Sequence, residues 1–175
     1  MARSYPYGKV PSSVGTVISE RFETPMVCCG YCSTHFAMRA AKAGFSSNGK
    51  LEGHKVRSSG GRAHNAGSNA GEERLGAKRA YGVVLTGITT GAVLARVKAG
   101  YAVTIAISYA KLPGYLKVQS NDFGHKVTLK GYRSGGYVGF FDPLYSQGSQ
   151  GTWAKWTDID QALWSSGHNT TTTKR

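Results

Sequence analysis

The sequence predicts an α+β domain in which an early helix carrying Cys29 packs on a late antiparallel sheet carrying His125 and Asp142. Three observations lead there. The residues after Cys29-Gly30 place Phe36, Ala37, Ala40 and Ala41 on one face at helical spacing. From Tyr101 onward the chain reads as strands, with Ser134-Gly135-Gly136 as a hairpin turn between two of them. The chain has 175 residues, 40% of them apolar, enough for one domain with a proper core.

Residues 1–19 combine Ser, Gly, Pro and Tyr without a sustained period and read as an extended arm. The compact domain is expected over 20–165. Its helix should run from Ser33 to a stop at Gly44. Residues 46–72 hold six glycines and several basic residues, and read as a long irregular loop of the kind that carries function or an interface. A short helix over 73–81 should end at Gly82, and Val83-Val84-Leu85 suits a short strand. Thr89 or Thr90 is placed to cap a helix through Val93, Leu94 and Val97 that Gly100 would stop. The apolar run Tyr101 to Tyr109 suits a central strand. Along Lys126 to Tyr132, Val127 and Leu129 should face one way, with Lys126, Thr128 and Lys130 facing the other. Tyr137 to Phe141 is the return strand. Trp153, Trp156, Ile159, Leu163 and Trp164 form a packing segment, and 166–175 is a polar tail.

Lys and Arg number 22 against 9 acidic residues, a net charge of +13. The expected partners are therefore anionic: nucleic acid, wall polymer or an acidic neighbouring subunit. The charges are spread along the chain, which suits non-specific attraction better than base readout. No apolar run reaches the ~18 residues needed to span a bilayer, and the N-terminus lacks the apolar stretch of a signal peptide. The expectation is a protein with no membrane partner that stays in the cytoplasm of the cell that makes it.

Cys28, Cys29 and Cys32 crowd together, which rules out a scattered disulfide framework. A thiol at a helix N-terminus is favoured as thiolate by the helix dipole. A His can take its proton and a carboxylate can orient the His. Cys29-Gly30, Gly124-His125 and Asp142-Pro143 supply these groups in that order, so Cys29, His125 and Asp142 are the candidate nucleophile, base and orienter. Two other readings stay open. Cys29-Gly30-Tyr31-Cys32 is a redox-type pair at a helix start. Cys29, Cys32 and His35 have ligand-like spacing for zinc, although a structural zinc site wants four ligands and no second Cys pair exists. No cofactor is expected.

These residues resemble the papain-like cysteine peptidases of the bacteriocin-processing, double-glycine-leader type. Cys29-Gly30-Tyr31-Cys32-Ser33, with Met38 beyond, resembles the family's Cys-Gly-Pro-x-Ser-x-x-Met. Gly124-His125-Lys126-Val127 resembles its Gly-His-Ala-Val, and Asp142-Pro143 its Asp-Pro pair. Phage-encoded relatives look closer still, through Gly60-Gly61, Ala80-Tyr81-Gly82-Val83 and Leu112-Pro113. The resemblance spans roughly 22–165. It implies a papain-like fold, cleavage of a peptide bond in protein or peptidoglycan, and a place in a virion beside other phage structural proteins. Three positions depart from the pattern. Glu23 stands where the family has an oxyanion-hole Gln, and its carboxylate would oppose the developing charge. Tyr31 replaces Pro. Lys126 stands beside the supposed base, where a cation should lower the His pKa. The expectation is a peptidase of weak or lost activity, or an inactivated peptidase fold used as a tail or neck component.

Overall fold

The computed structural model describes residues 5–11, 29–41, 49–60, 68–120, 123–144, 151–165 and 169–171. Helix α1 (Cys29–Ala41) comes first, followed by α2 (Gly49–Gly60) and α3 (Ala70–Tyr81). Strand β1 (Thr86–Ile88), a 3-10 turn and α4 (Val93–Lys98) lead into β2 (Val103–Ser108). The hairpin of β3 (Gly124–Arg133) and β4 (Tyr137–Phe141) follows, then β5 (Thr152–Lys155), α5 (Trp156–Asp160) and β6 (Asn169–Thr171). The strands form one six-stranded sheet in the order β1-β6-β2-β3-β4-β5, and every pairing is antiparallel. This is the expected α+β arrangement.

Successive strand residues point to opposite faces, and here both faces are buried. Val103, Ile105, Ile107, Val127, Leu129, Val138 and Phe140 pack on one side with Val93, Val97, Leu116 and Ile159. Ala102, Phe141 and Trp153 pack on the other side with Phe36 and Ala37 of α1, where the Phe36 and Phe141 rings stack at 4.5 Å. The opposite side of α1 supplies Tyr31 and Met38 to a third cluster with Val56, Ala77, Val83 and Leu85. So α1 is buried all round rather than along one stripe, and Tyr31 through Met38 are all buried. Two hydrogen bonds fix its height on the sheet. Ser33 Oγ donates to the Lys126 carbonyl at 2.9 Å, and Thr128 Oγ1 donates to the Ser33 carbonyl at 2.8 Å.

The segment 46–72 is not one irregular loop, because α2 occupies part of it. Its glycines lower helix propensity, but tertiary packing decides. A Cβ built on Gly76 of α3 would fall on the Val56 carbonyl oxygen of α2, and one on Gly60 would lie 2.8 Å from the Glu72 carbonyl oxygen. The small residues let the two helices lie backbone against backbone. Gly76→Ala should therefore cost about 1–3 kcal/mol or more, read as a lower urea midpoint; an unchanged midpoint would show that the helices part freely.

Helix α3 starts earlier than its apolar pattern implies, because Asn69 and Glu72 form a reciprocal capping box. It ends at Gly82, whose φ of 66° is the left-handed cap expected there. Val83 and Leu85 are buried in the third cluster, and the strand begins only at Thr86. Thr89 precedes the 3-10 turn, but its side chain makes no capping bond. Part of the N-terminal arm is docked: Lys9 bridges Thr152 beside β5, and Val10 is buried against Phe141 and Trp153. The polar tail contributes β6, which pairs with both β1 and β2. Residues on both sides of 20–165 thus touch the sheet, Lys9 through an isolated bridge and Asn169 to Thr171 as a strand. Among the described residues, no helix is long and apolar enough to cross a membrane.

Candidate active site

Cys29 is the first residue of α1 and is half-buried, so its thiol sits where the first backbone N–H groups of the helix are unpaired. His125 is the second residue of β3 and is buried. Asp142 lies one residue past β4 and is fully buried. Antiparallel pairing of β3 with β4 brings the last two together, and His125 Nε2 meets Asp142 Oδ1 at 2.7 Å. Pro143 has no N–H to offer, and Leu144 N–H donates to the same Asp142 oxygen at 2.8 Å, which fixes the carboxylate. The imidazole is walled by aromatic rings, with edge contacts to Tyr109 at 5.4 Å and Phe123 at 5.3 Å.

Cys29 and His125 line one cavity of about 240 Å³, together with Ser68, Asn69, Ala106, Gly124, Lys126 and Trp164. Trp164 lies so close over Gly124 that a Cβ there would fall on its ring. Burial alone would lower the His125 pKa. The charges of Asp142 and Cys29 outweigh that and push it up to about 10. The other ring nitrogen, Nδ1, is buried and has no hydrogen-bond partner of good geometry among the described residues, while the Cys29 sulfur is near enough to act on the ring. A ring held by a carboxylate at one nitrogen, beside a thiol at a helix start, is equipped to accept and return a proton.

One expectation needs correction. Lys126 does not lower the His125 pKa. Glu73 takes up its charge at 2.5 Å, and the His125 pKa is raised. Arg57, within the basic run from Lys50 to Arg79, is buried over the Tyr31 ring. Cys32 is buried one turn along α1 and is not bridged to Cys29. Among the described residues no group of three or more His, Cys, Asp or Glu is placed to hold a metal ion, the trio Cys29, Cys32 and His35 included. Glu23 and Cys28 lie outside the described residues.

Sequence reasoning missed the wall formed by Ser68 and Asn69, and Glu73 behind it, which bonds Ser68 and Lys126. The Asn69-x-x-Glu72 capping signal would have located the helix start that presents them. It read Trp164 only as packing, whereas the ring also borders the cavity.

No family model matches the chain, and no curated protein matches it in sequence. Among solved structures, the chain is similar to a crystal structure from Bacillus anthracis whose own assignment as a C39-like peptidase is provisional. The TM-score is 0.56 at 18% identity, over 90% of this chain and 95% of that one. With Cys29 opening the N-terminal helix and His125 and Asp142 on the antiparallel sheet, the chain has the α+β fold of C39-like, papain-type peptidases.

Proposed function

We propose that this protein is a cysteine peptidase with Cys29 as nucleophile, His125 as general base and acid, and Asp142 as the residue that orients His125. The buried His125–Asp142 contact beside a cavity that Cys29 also lines carries this reading. In the first half-reaction the Cys29 sulfur attacks the scissile carbonyl carbon. The oxygen becomes an oxyanion, to which the Cys29 backbone N–H at the start of α1 can donate. Protonated His125 gives its proton to the departing amine, leaving a thioester on Cys29. Water then attacks that thioester, His125 takes its proton, and the thiol is released with the acid product.

The reading extends to a phage-encoded, virion-associated enzyme acting on protein or peptidoglycan. Its support is the sequence resemblance carried by Gly60-Gly61, Ala80-Tyr81-Gly82-Val83 and Leu112-Pro113. The net charge of +13 favours an anionic wall or polymer near the substrate. Glu23, at the family's oxyanion-hole position, supports weak turnover.

The test is labelling of the full-length protein by an electrophilic peptidase probe, followed by peptide mapping. Labelling should fall on Cys29, above Cys28 and Cys32, and should be lost in His125→Ala. Equal labelling of all three cysteines, or labelling of Cys29 that survives His125→Ala in a folded protein, would refute the assignment.

A further inference from the structure

Lys126 follows His125 in the sequence and lines the same cavity, yet the proposed chemistry gives it no part. Its side chain is 8% exposed, and its ammonium meets Glu73 Oε1 at 2.5 Å; the Glu73 side chain is fully buried. Ser68 Oγ donates to the same carboxylate oxygen at 2.6 Å. The group presses against the start of α1, since a Cβ on Gly30 would fall on both Ser68 Oγ and Glu73 Oε1, and would lie 3.2 Å from Lys126 Cδ. Glu73 therefore touches the residue next to Cys29 and holds the cation next to His125.

Burying a charge costs stability unless it is paired. A structural use of this pair would leave the site's protonation unchanged, but its location argues otherwise. The groups that face His125 are Cys29 from α1, Asp142 after β4, and the Tyr109 and Phe123 rings. Lys126 is the nearest cation in sequence, and Glu73 is the acid paired with it. An unpaired ammonium here would oppose a second positive charge on the imidazole and favour an anion nearby. Because the two opposite charges sit together, their fields largely cancel at the neighbouring ring.

We propose that Glu73 is a positioning residue of this site: it neutralises Lys126, so that the Cys29–His125 pair is shielded from that cation, and it packs against Gly30 to hold the start of α1. The inference rests on the cysteine-peptidase reading and deepens it. It also accounts for Lys126 where the resembling family has Ala, because Glu73 compensates for it.

The test is the pH profile of Cys29 alkylation by iodoacetamide, followed by peptide mapping of the full chain. In wild type the reactive window should have a lower and an upper pH limit, set by the thiol and the imidazole. In Glu73→Gln both limits should move to lower pH by on the order of one unit. In Glu73→Gln/Lys126→Met, which removes both charges and keeps the volumes, the limits should return to the wild-type values. A purely structural Glu73 would change the amount of folded protein and leave the limits where they were. Unmoved limits in folded Glu73→Gln overturn the proposal. Where Glu73→Gln does not fold, Lys126→Met decides, because it leaves the Glu73 carboxylate without its cation: limits displaced to higher pH support the proposal, and unmoved limits overturn it. A wild-type profile that rises with pH like a free thiol overturns the peptidase reading itself, which is a different result from a bounded window that Glu73→Gln leaves unmoved.

Discussion

Replacing Cys29 by Ala is expected to lower peptide hydrolysis by on the order of 10⁴–10⁶-fold, because removing the nucleophile of a concerted triad costs about as much as removing the triad. The fold should survive. Position 29 is half-buried at the first turn of α1, and Ala is a strong helix former. Wild-type turnover is expected to be slow, because the sequence resemblance aligns Glu23 with the family's oxyanion-hole Gln. Replacing Glu23 by Gln should raise the rate by about 10²–10³-fold. The Cys29→Ala change is best read in that faster background, with fluorogenic peptides and crude peptidoglycan as substrates. If Glu23→Gln/Cys29→Ala still cleaves at the rate of Glu23→Gln, the cysteine is not the nucleophile. If Glu23→Gln cleaves no faster than wild type, the oxyanion argument is wrong and the slow-enzyme expectation goes with it.

The second large effect is on stability. His125 has a pKa of about 10 in the folded protein against an ordinary 6.5, so the folded state holds its proton more tightly than the unfolded chain does. A group raised in this way stabilises the fold fully below the unfolded pKa, and that stabilisation is lost as pH rises through the folded pKa. Stability should therefore decline between about pH 6.5 and about pH 10, by on the order of a few kcal/mol at roughly 1.4 kcal/mol per pKa unit. Asp142→Asn keeps an acceptor for the Leu144 N–H but removes the carboxylate charge that helps raise the His125 pKa. In that variant the alkaline loss should shrink. Urea midpoints at the two ends of the window measure it. Equal alkaline losses in wild type and Asp142→Asn would show that the pair is not the cause.

The contact between His125 and Asp142 was legible because each residue sits in a short motif on consecutive strands. Gly124-His125 opens one strand, Asp142-Pro143 closes the next, and Ser134-Gly135-Gly136 fixes the hairpin between them. Gly135 and Gly136 adopt φ values of 87° and 77°, which the turn demands and side chains resist. The core strands were legible for a similar local reason, since an apolar run such as Val103 to Ser108 has few alternatives to a buried strand. Helix α2 was not legible. Its glycines argue against a helix locally, and the reason it forms is the close approach of Gly76 to Val56, a contact between separate segments. Strand β6 escaped because Asn169, Thr170 and Thr171 lack an apolar face to announce them. Glu73 escaped because an acid in a charged helix reads as solvent-facing, and only the fold reveals that it is buried against Lys126.

The placing of β6 has a consequence for how the sheet holds together. Among the described residues β1 pairs with no strand except β6, and β6 lies between it and β2. One end of the sheet is thus wired in series: among the described residues, β1 reaches the central strands through Asn169 to Thr171. Loosening β6 would release β1 and bare a flank of β2 in the same event, exposing two rows of unpaired backbone groups at once. The amide protection of Thr86 to Ile88 is therefore a readout of whether Asn169 to Thr171 is in place, and that end of the sheet should open as a single cooperative unit while the His125–Asp142 hairpin stays closed.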